Sequence, residues 1–316
     1  MTRRAVFLLN PASGHGRLAR QDIVGRSAEA WKHAGWETEL VPIAGPGTAT
    51  EQTCEIVSRG CDVLFACGGD GTVHEILQGL VTTRAETAMG IVPLGTGNVV
   101  ANNLGLPHAT AQAAAMQLKF FPRRIGVGKM TTTLASGAIA SRYFLAAGGF
   151  GLHAKMIFEA HARLKKRSGM MAYYRSGFRL MFFEPRTPFE IDLTHVDGTR
   201  QTERVYELLA IKVAMFSGIV RRWRPGASLA DPVLRMLIVK TPSRVQMISG
   251  SLRCMAGGCP QISGVEIVPA VRAVCRPIGS TDARLIHSEA DGESLGILPG
   301  EVSSVPDAFA LLMPPQ

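Results

Sequence analysis

Three stretches combine glycine with small polar residues in the way that phosphate chemistry requires: Asn10-Pro-Ala-Ser-Gly14, Gly68-Gly-Asp-Gly-Thr72 and Pro93-Leu-Gly-Thr-Gly-Asn98. Glycine lets backbone N–H groups approach anionic oxygens, and a helix that starts after such a loop favours the negative charge. Asp70 stands among these glycines. Phosphate repels a carboxylate, so Asp70 either binds a divalent cation, accepts the proton of an attacking hydroxyl, or caps the helix that follows. The flanking glycines favour the ligand over the cap. Thr72 and Thr96 can donate hydroxyl hydrogen bonds to phosphate, and Asn10 can hold a base or sugar edge or close an Asx turn. None of the loops is Gly-x4-Gly-Lys-Ser/Thr, and none is Gly-x-Gly-x-x-Gly after a first strand, which disfavours a dinucleotide fold. Far downstream, Glu289-Ala-Asp291-Gly-Glu293 reads by itself as an acidic surface turn. It gains chemistry only if the fold brings it against the glycine loops.

The elements around the loops alternate. Ala5–Leu9, Glu37–Val41, Asp62–Ala66 and Gly90–Val92 read as strands. Residues up to about Ala34, Thr50–Arg59, His74–Leu80 and Ala109–Leu118 read as helices. Each glycine loop follows a strand, and in parallel α/β sheets ligands sit beyond the carboxyl ends of the strands. After Phe121-Pro-Arg-Arg124 the pattern becomes short strands with glycine turns: Gly126–Met130, Thr131–Leu134, Arg142–Ala147, a hairpin of Glu190–Thr194 and Glu203–Val213 about Asp197-Gly198, then Leu234–Val239, Gly264–Val268 and Ala273–Arg276. A helical insert spans roughly Lys155–Phe183. The fold class expected is α/β: an N-terminal three-layer α/β domain over 1–125, rejoined by a C-terminal segment 298–316, and a β-sandwich over 126–297.

Composition narrows the class further. The chain has 316 residues, 46% of them hydrophobic and 19% charged, which is globular rather than disordered. Its apolar runs break before the ~18 residues that a membrane span needs, and the apolar stretch behind its basic N-terminal tip is too short for a secretory signal. Six cysteines without a Cys-x2-Cys pair suit reduced, buried thiols in the cytoplasm, not a zinc or redox site. The net charge of +9 is uneven: residues 1–125 carry 11 Lys+Arg and 10 Asp+Glu, residues 126–316 carry 23 and 15. A basic half calls for an anionic partner, a membrane surface or nucleic acid, or simply aids solubility.

Taken together in order and spacing, the three loops, Glu75 and the late Ala290-Asp-Gly-Glu293 resemble the catalytic domain of the diacylglycerol kinase family, which includes sphingosine and ceramide kinases and bacterial soluble lipid kinases. Gly-Gly-Asp-Gly alone is shared with NAD kinases and phosphofructokinases; the triple motif is more specific. The resemblance covers nearly the whole chain. It implies a nucleotide domain, a β-sandwich and a cleft between them. It implies ATP bound by Asn10, Ser13, Gly14, Gly68, Gly69, Asp70, Gly71, Thr72, Glu75 and Thr96, with Asp70 helping to hold Mg²⁺. Asp291 would take the proton of a lipid hydroxyl, supported by Glu293. Some bacterial members are similar in carrying a structural Mg²⁺ on an Asp-Gly-x-Leu turn; here the turn is Asp231-Pro-Val-Leu234, where proline replaces the glycine and weakens the case for a metal at Asp231. Many members have an acid after Gly-Phe near the lipid head group; this chain has Gly149-Phe-Gly-Leu-His153, which leans away from a sphingoid amine. His153 is a head-group contact or a buried histidine, with the latter favoured. Where the family has Asn-Asp-Phe-Ala, this chain has Asn98-Val-Val-Ala101.

A lipid substrate in a membrane gives the basic half a role. Lys155–Arg186 holds eight Lys+Arg against two acids, interleaved with Phe158, Tyr173, Tyr174, Phe178, Phe182 and Phe183. Such a segment suits an anionic bilayer surface, and Arg221-Arg-Trp-Arg224 offers a second anchor. The competing reading is a solvated helix whose aromatics face the core. The expectation is a cytoplasmic, peripherally membrane-associated ATP-dependent lipid kinase acting on diacylglycerol or a related glycerolipid, with a sphingoid or other lipid alcohol as the alternative acceptor. An NAD kinase or a non-catalytic nucleotide-binding regulator ranks lower. A nucleic-acid partner is not expected, since it would not require three phosphate-type loops. A homodimer is compatible with the sequence, which does not fix the oligomeric state.

Overall fold

In the computed structural model, residues 3–13, 17–164, 186–217, 225–241, 243, 245–246, 249, 263–279 and 282–315 are described. The chain divides into two units, 1–126 with 306–316, and 127–305.

The N-terminal unit is built on buried parallel strands. β1 (Arg4–Leu9), β3 (Val63–Gly68) and β4 (Ala88–Pro93) are apolar along almost their whole length, the pattern of strands covered on both faces. The order is β2-β1-β3-β4-β14, where β2 (Glu37–Pro42) forms an exposed edge and the far end of β14 (Glu293–Met313) runs parallel to β4 through Ala310 and Leu311. On one face lie α1 (Arg17–His33) and α5 (Gln112–Gln117). There Phe7 stacks on Phe65 at 4.4 Å, Trp31 meets Phe65 edge-on at 4.8 Å, and Trp31 Nε1 donates to the Ala114 carbonyl at 2.9 Å. α2 (Ala49–Ser58) and α3 (Asp70–Thr83) pack together on the other face. A short α4 (Val99–Asn103) follows the third glycine loop.

The second unit is antiparallel. β13 (His287–Ala290), β7 (Ala147–Gly151), β10 (Glu207–Ile211), β11 (Leu234–Val239), β12 (Val265–Pro277) and the first part of β14 pair in a path that closes on itself when Arg272–Cys275 meets Gly300–Ser303. β8 (Phe189–His195) and β9 (Arg200–Val205) extend from β12, and β5 (Phe121–Thr133) and β6 (Ile139–Phe144) from β14. The enclosed core includes Phe144, Phe150, Phe189, Leu208 and Met236. α6 (Leu152–Leu164) follows β7 directly.

The expected α/β class with a β-sandwich is the one observed. Details differ. α3 starts at Asp70, not His74, so the second glycine loop is already its first turn. Two expected strand pairs are single 13-residue strands, β5 and β12. The segment Phe121–Arg124 is part of β5, with the unit boundary after Gly126, and the returning segment starts at Pro306 instead of Leu298. The hairpin arm expected over Glu203–Val213 is split into β9 and β10. The rest of the expected helical insert, 165–185, lies outside the described residues.

Because Phe65 is fully buried between Phe7 and Trp31, Phe65→Ala should destabilise the N-terminal unit by about 3–5 kcal/mol in urea unfolding. A loss below ~1 kcal/mol would contradict this packing.

Candidate functional site

The three glycine loops of the N-terminal unit are bonded to one another. Asn10 leaves β1 with its Oδ1 accepting the Ala12 N–H at 2.9 Å, an Asx turn, while its Nδ2 donates to Thr72 Oγ1 at 2.9 Å. The first loop is thereby tied to the second. Arg20 on α1 donates to the Ser13 carbonyl and holds the same loop from behind. Gly14 lies outside the described residues.

Gly69 is the extended N-cap of α3, and Val73 N–H donates to Gly69 O at 3.1 Å. The N–H groups of the first turn therefore have no carbonyl within the helix, and they gather at the positive end of its dipole. A side chain at Gly68 would overlap buried Thr72. Asp70 is the first residue of α3. Its Oδ1 accepts the Val99 N–H at 2.6 Å, and a Cβ at Gly97 would fall 2.5 Å from Oδ2. The carboxylate thus holds the third loop to the second, and glycine at 97 is what permits the approach. Asn98, at φ 49°, folds the third loop with its own amide: Oδ1 accepts Gly95 N–H at 3.0 Å and Nδ2 donates to Gly95 O at 2.7 Å. Thr96 stays exposed at the loop tip. Glu75, one turn into α3, accepts the Ala49 N–H at 3.1 Å and so caps α2.

In the second unit Asp291 sits at φ 50° in the β13–β14 turn. Its carboxylate accepts three backbone N–H bonds from the β6–β7 connection: Leu145 at 2.9 Å, Ala146 at 2.8 Å and Ala147 at 3.1 Å. The Asp291 N–H donates back to Ala147 O at 2.8 Å. Glu293 is exposed and pairs with Ala290 across the turn. Glu289, 3% exposed, accepts the Gly292 N–H at 2.9 Å and so holds the turn from within.

His153 is set between two carboxylates. Its Nδ1 bonds to Glu207, and its Nε2 lies 3.3 Å from Glu289 Oε1. Glu207 also accepts the Leu152 and His153 N–H groups at 2.8 and 3.1 Å, at the start of α6. Burial pulls the imidazole down, but Glu207 and then Glu289 outweigh it and push His153 up to about 10. His153 is a half-buried imidazolium clamped between two glutamates. Glu207, 54 positions away, has no sequence signal that would pair it with His153.

The metal expected at Asp231 does not fit. The backbone carbonyl of Asp231 accepts a hydrogen bond from the Nζ of fully buried Lys212, and the Leu229 carbonyl accepts another at 3.0 Å. Burial lowers Lys212 to about 8, opposed by the Asp231 charge, so the group is still mainly a cation at neutral pH. Arg221–Arg224 and most of the basic-aromatic segment lie outside the described residues; within α6, Phe158 is 45% exposed and stacks on His287 at 4.4 Å. Among the described residues no helix is long and apolar enough to cross a membrane.

One unit is thus an α/β domain with joined glycine loops, and the other a closed antiparallel sheet. Residues 4–130 match the diacylglycerol kinase catalytic domain, and residues 149–313 match the YegS C-terminal NAD kinase beta sandwich-like domain. The chain belongs to this diacylglycerol kinase family, whose members use a nucleotide as phosphoryl donor. Diacylglycerol kinase of Bacillus subtilis is 24% identical over 99% of this chain and 97% of its own, and that of Staphylococcus saprophyticus 26% over 99% and 96%. A crystal structure of a diacylglycerol kinase from Bacillus anthracis shares the fold, with a TM-score of 0.68 at 19% identity over 99% of this chain and 97% of the other.

The His153 cluster sets a pH dependence. A histidine whose folded pKa is raised stabilises fully below its unfolded value of 6.5, and that contribution disappears as pH rises through about 10. The melting-temperature gap between the wild type and His153→Gln should be widest at pH 6 and close towards pH 10; a gap that does not change with pH would refute the imidazolium.

Proposed function

We propose that the chain transfers the γ-phosphoryl group of Mg²⁺-ATP to the hydroxyl of a membrane lipid, diacylglycerol or a related glycerolipid. The observation that carries this reading is the joining of three glycine loops by Asn10–Thr72 and Asp70–Val99. Loops fixed in this way present backbone N–H groups with little reorganisation, and phosphoryl transfer asks chiefly for positioning and charge stabilisation. Ser13, Gly14, Gly68, Gly69, Gly71, Thr72, Glu75 and Thr96 complete the nucleotide site, with Glu75 acting through the α2 terminus that it caps. The cradle suits Mg²⁺-nucleotide, because Mg²⁺ is held by one or two carboxylates together with phosphates and waters; Asp70 would supply the carboxylate.

Asp291 is the acceptor of the lipid hydroxyl proton in this reading, with Glu293 beside it. The choice of a glycerolipid over a sphingoid base rests on His153. Glu207 and Glu289 are already paired with an imidazolium, so they offer no open acid to a sphingoid amine. The relatives named diacylglycerol kinase support the same choice. The charge of the second half suits docking on an anionic leaflet from the cytoplasm, where each basic residue near the surface adds about 1 kcal/mol.

Labelled ATP supplied with a panel of lipid alcohols should give an organic-phase product, strongest with diacylglycerol. Label on NAD and on no lipid would overturn the reading. Asp70→Asn is the informative variant of the nucleotide loops, since its Oδ1 still accepts the Val99 N–H. It should melt close to wild type yet lose roughly 10²-fold or more in turnover. Asp291→Asn should lose roughly 10²–10⁴-fold, as expected for removal of a general base. Retained turnover in Asp291→Asn would remove the base assignment without touching the nucleotide site.

A further inference from the structure

Lys212 is the first residue after β10 and has no exposed surface. An unpaired ammonium in such a place is unfavourable by several kcal/mol, so its contacts say what it is for. Its Nζ donates to the Leu229 carbonyl at 3.0 Å and to the Asp231 carbonyl. These two carbonyls belong to a tight turn, closed by Asp231 N–H to Ser228 O at 3.1 Å and continued by Pro232, whose own carbonyl accepts Ser304 Oγ at 2.7 Å. Carbonyl oxygens that converge on a buried side chain need either a cation or N–H donors to be satisfied. Lys212 is both. A divalent ion bound to the same oxygens would lie within a few ångströms of the ammonium in a low-dielectric interior, where like charges repel strongly. Pro232 also stands where a metal-binding turn of the Asp-Gly-x-Leu type would have its glycine. The lysine has a second connection: its backbone N–H donates to Ala146 O at 2.9 Å, and Ala146 N–H in turn donates to Asp291 at 2.8 Å. The turn, the end of β10 and the peptide under Asp291 thus meet at one residue.

We propose that the Lys212 ammonium is the resident cation of the C-terminal unit: it holds the Leu229–Asp231 turn that a divalent ion was expected to hold, and the unit folds without a structural metal. The test is thermal unfolding of the full chain in the absence of nucleotide and lipid, in EDTA, in Mg²⁺ and in Ca²⁺. The wild type should melt at the same temperature in all three. Lys212→Met keeps the length of the side chain and removes the charge and donors; it should melt about 5–10 °C lower. A wild-type melting point that falls in EDTA and is restored saturably by Mg²⁺ or Ca²⁺ overturns the proposal, and so does a Lys212→Met chain that melts like the wild type. If Lys212→Met does not fold, the wild-type comparison still decides. Since neither ATP nor lipid is present, the result is independent of whether the chain phosphorylates a lipid.

Discussion

A single carboxylate, that of Asp70, holds the second and third glycine loops of the N-terminal unit together. Glycine-rich loops are entropically expensive to fix, because glycine has more backbone freedom to lose than any other residue. Asp70 offsets that freedom with a charge-assisted bond to the Val99 N–H, Asn98 closes the third loop on itself, and Asn10 fastens the first loop to Thr72. Local glycine flexibility is thereby converted into a fixed arrangement of backbone donors. The same bond places Val99 where the family's pattern has an acid: the position contributes its backbone N–H whatever its side chain.

The second unit solves the opposite problem, holding negative charge inside a β structure. Asp291 is met by three peptide N–H groups, while Glu207 and Glu289 share the imidazolium of His153. Each carboxylate also fixes backbone: Glu289 holds the turn of Asp291, and Glu207 holds the start of α6. The acidic motif Glu289–Glu293 is therefore not a solvated surface turn. Its first glutamate and its aspartate are anchors, and Glu293 alone faces out.

What the sequence disclosed follows from the range of the forces involved. β1, β3 and β4 were legible because strands buried on both faces are unbroken apolar runs that end at glycine or proline. The start of α3 was not, since Asp70-Gly-Thr reads as loop chemistry although it is helical, and its cap is glycine. β12 read as two strands because Pro269 interrupts it; in β5, Gly128 is there to make room for the Phe144 ring. The glycine loops and Glu289–Glu293 stood out as motifs, but the ties that their residues make did not. Asp70 to Val99 and Asp291 to Ala146 are contacts between distant segments, and only the fold makes them neighbours. Lys212 is the extreme case: one lysine in the apolar run Leu208–Met215 carries no local sign of the carbonyls it meets 17 and 19 positions later.

The parallel strand at the edge of β4 comes from Ala310 and Leu311, whereas residues 127–305 form the other unit. A ribosome must therefore complete an entire second unit before the first can acquire its fifth strand. Until then the β4 edge has unpaired N–H and C=O groups, the kind of edge that attracts other chains. Synthesis order makes the N-terminal unit dependent on the second one finishing, so an interrupted translation product carries an open sheet even though its glycine loops are all present.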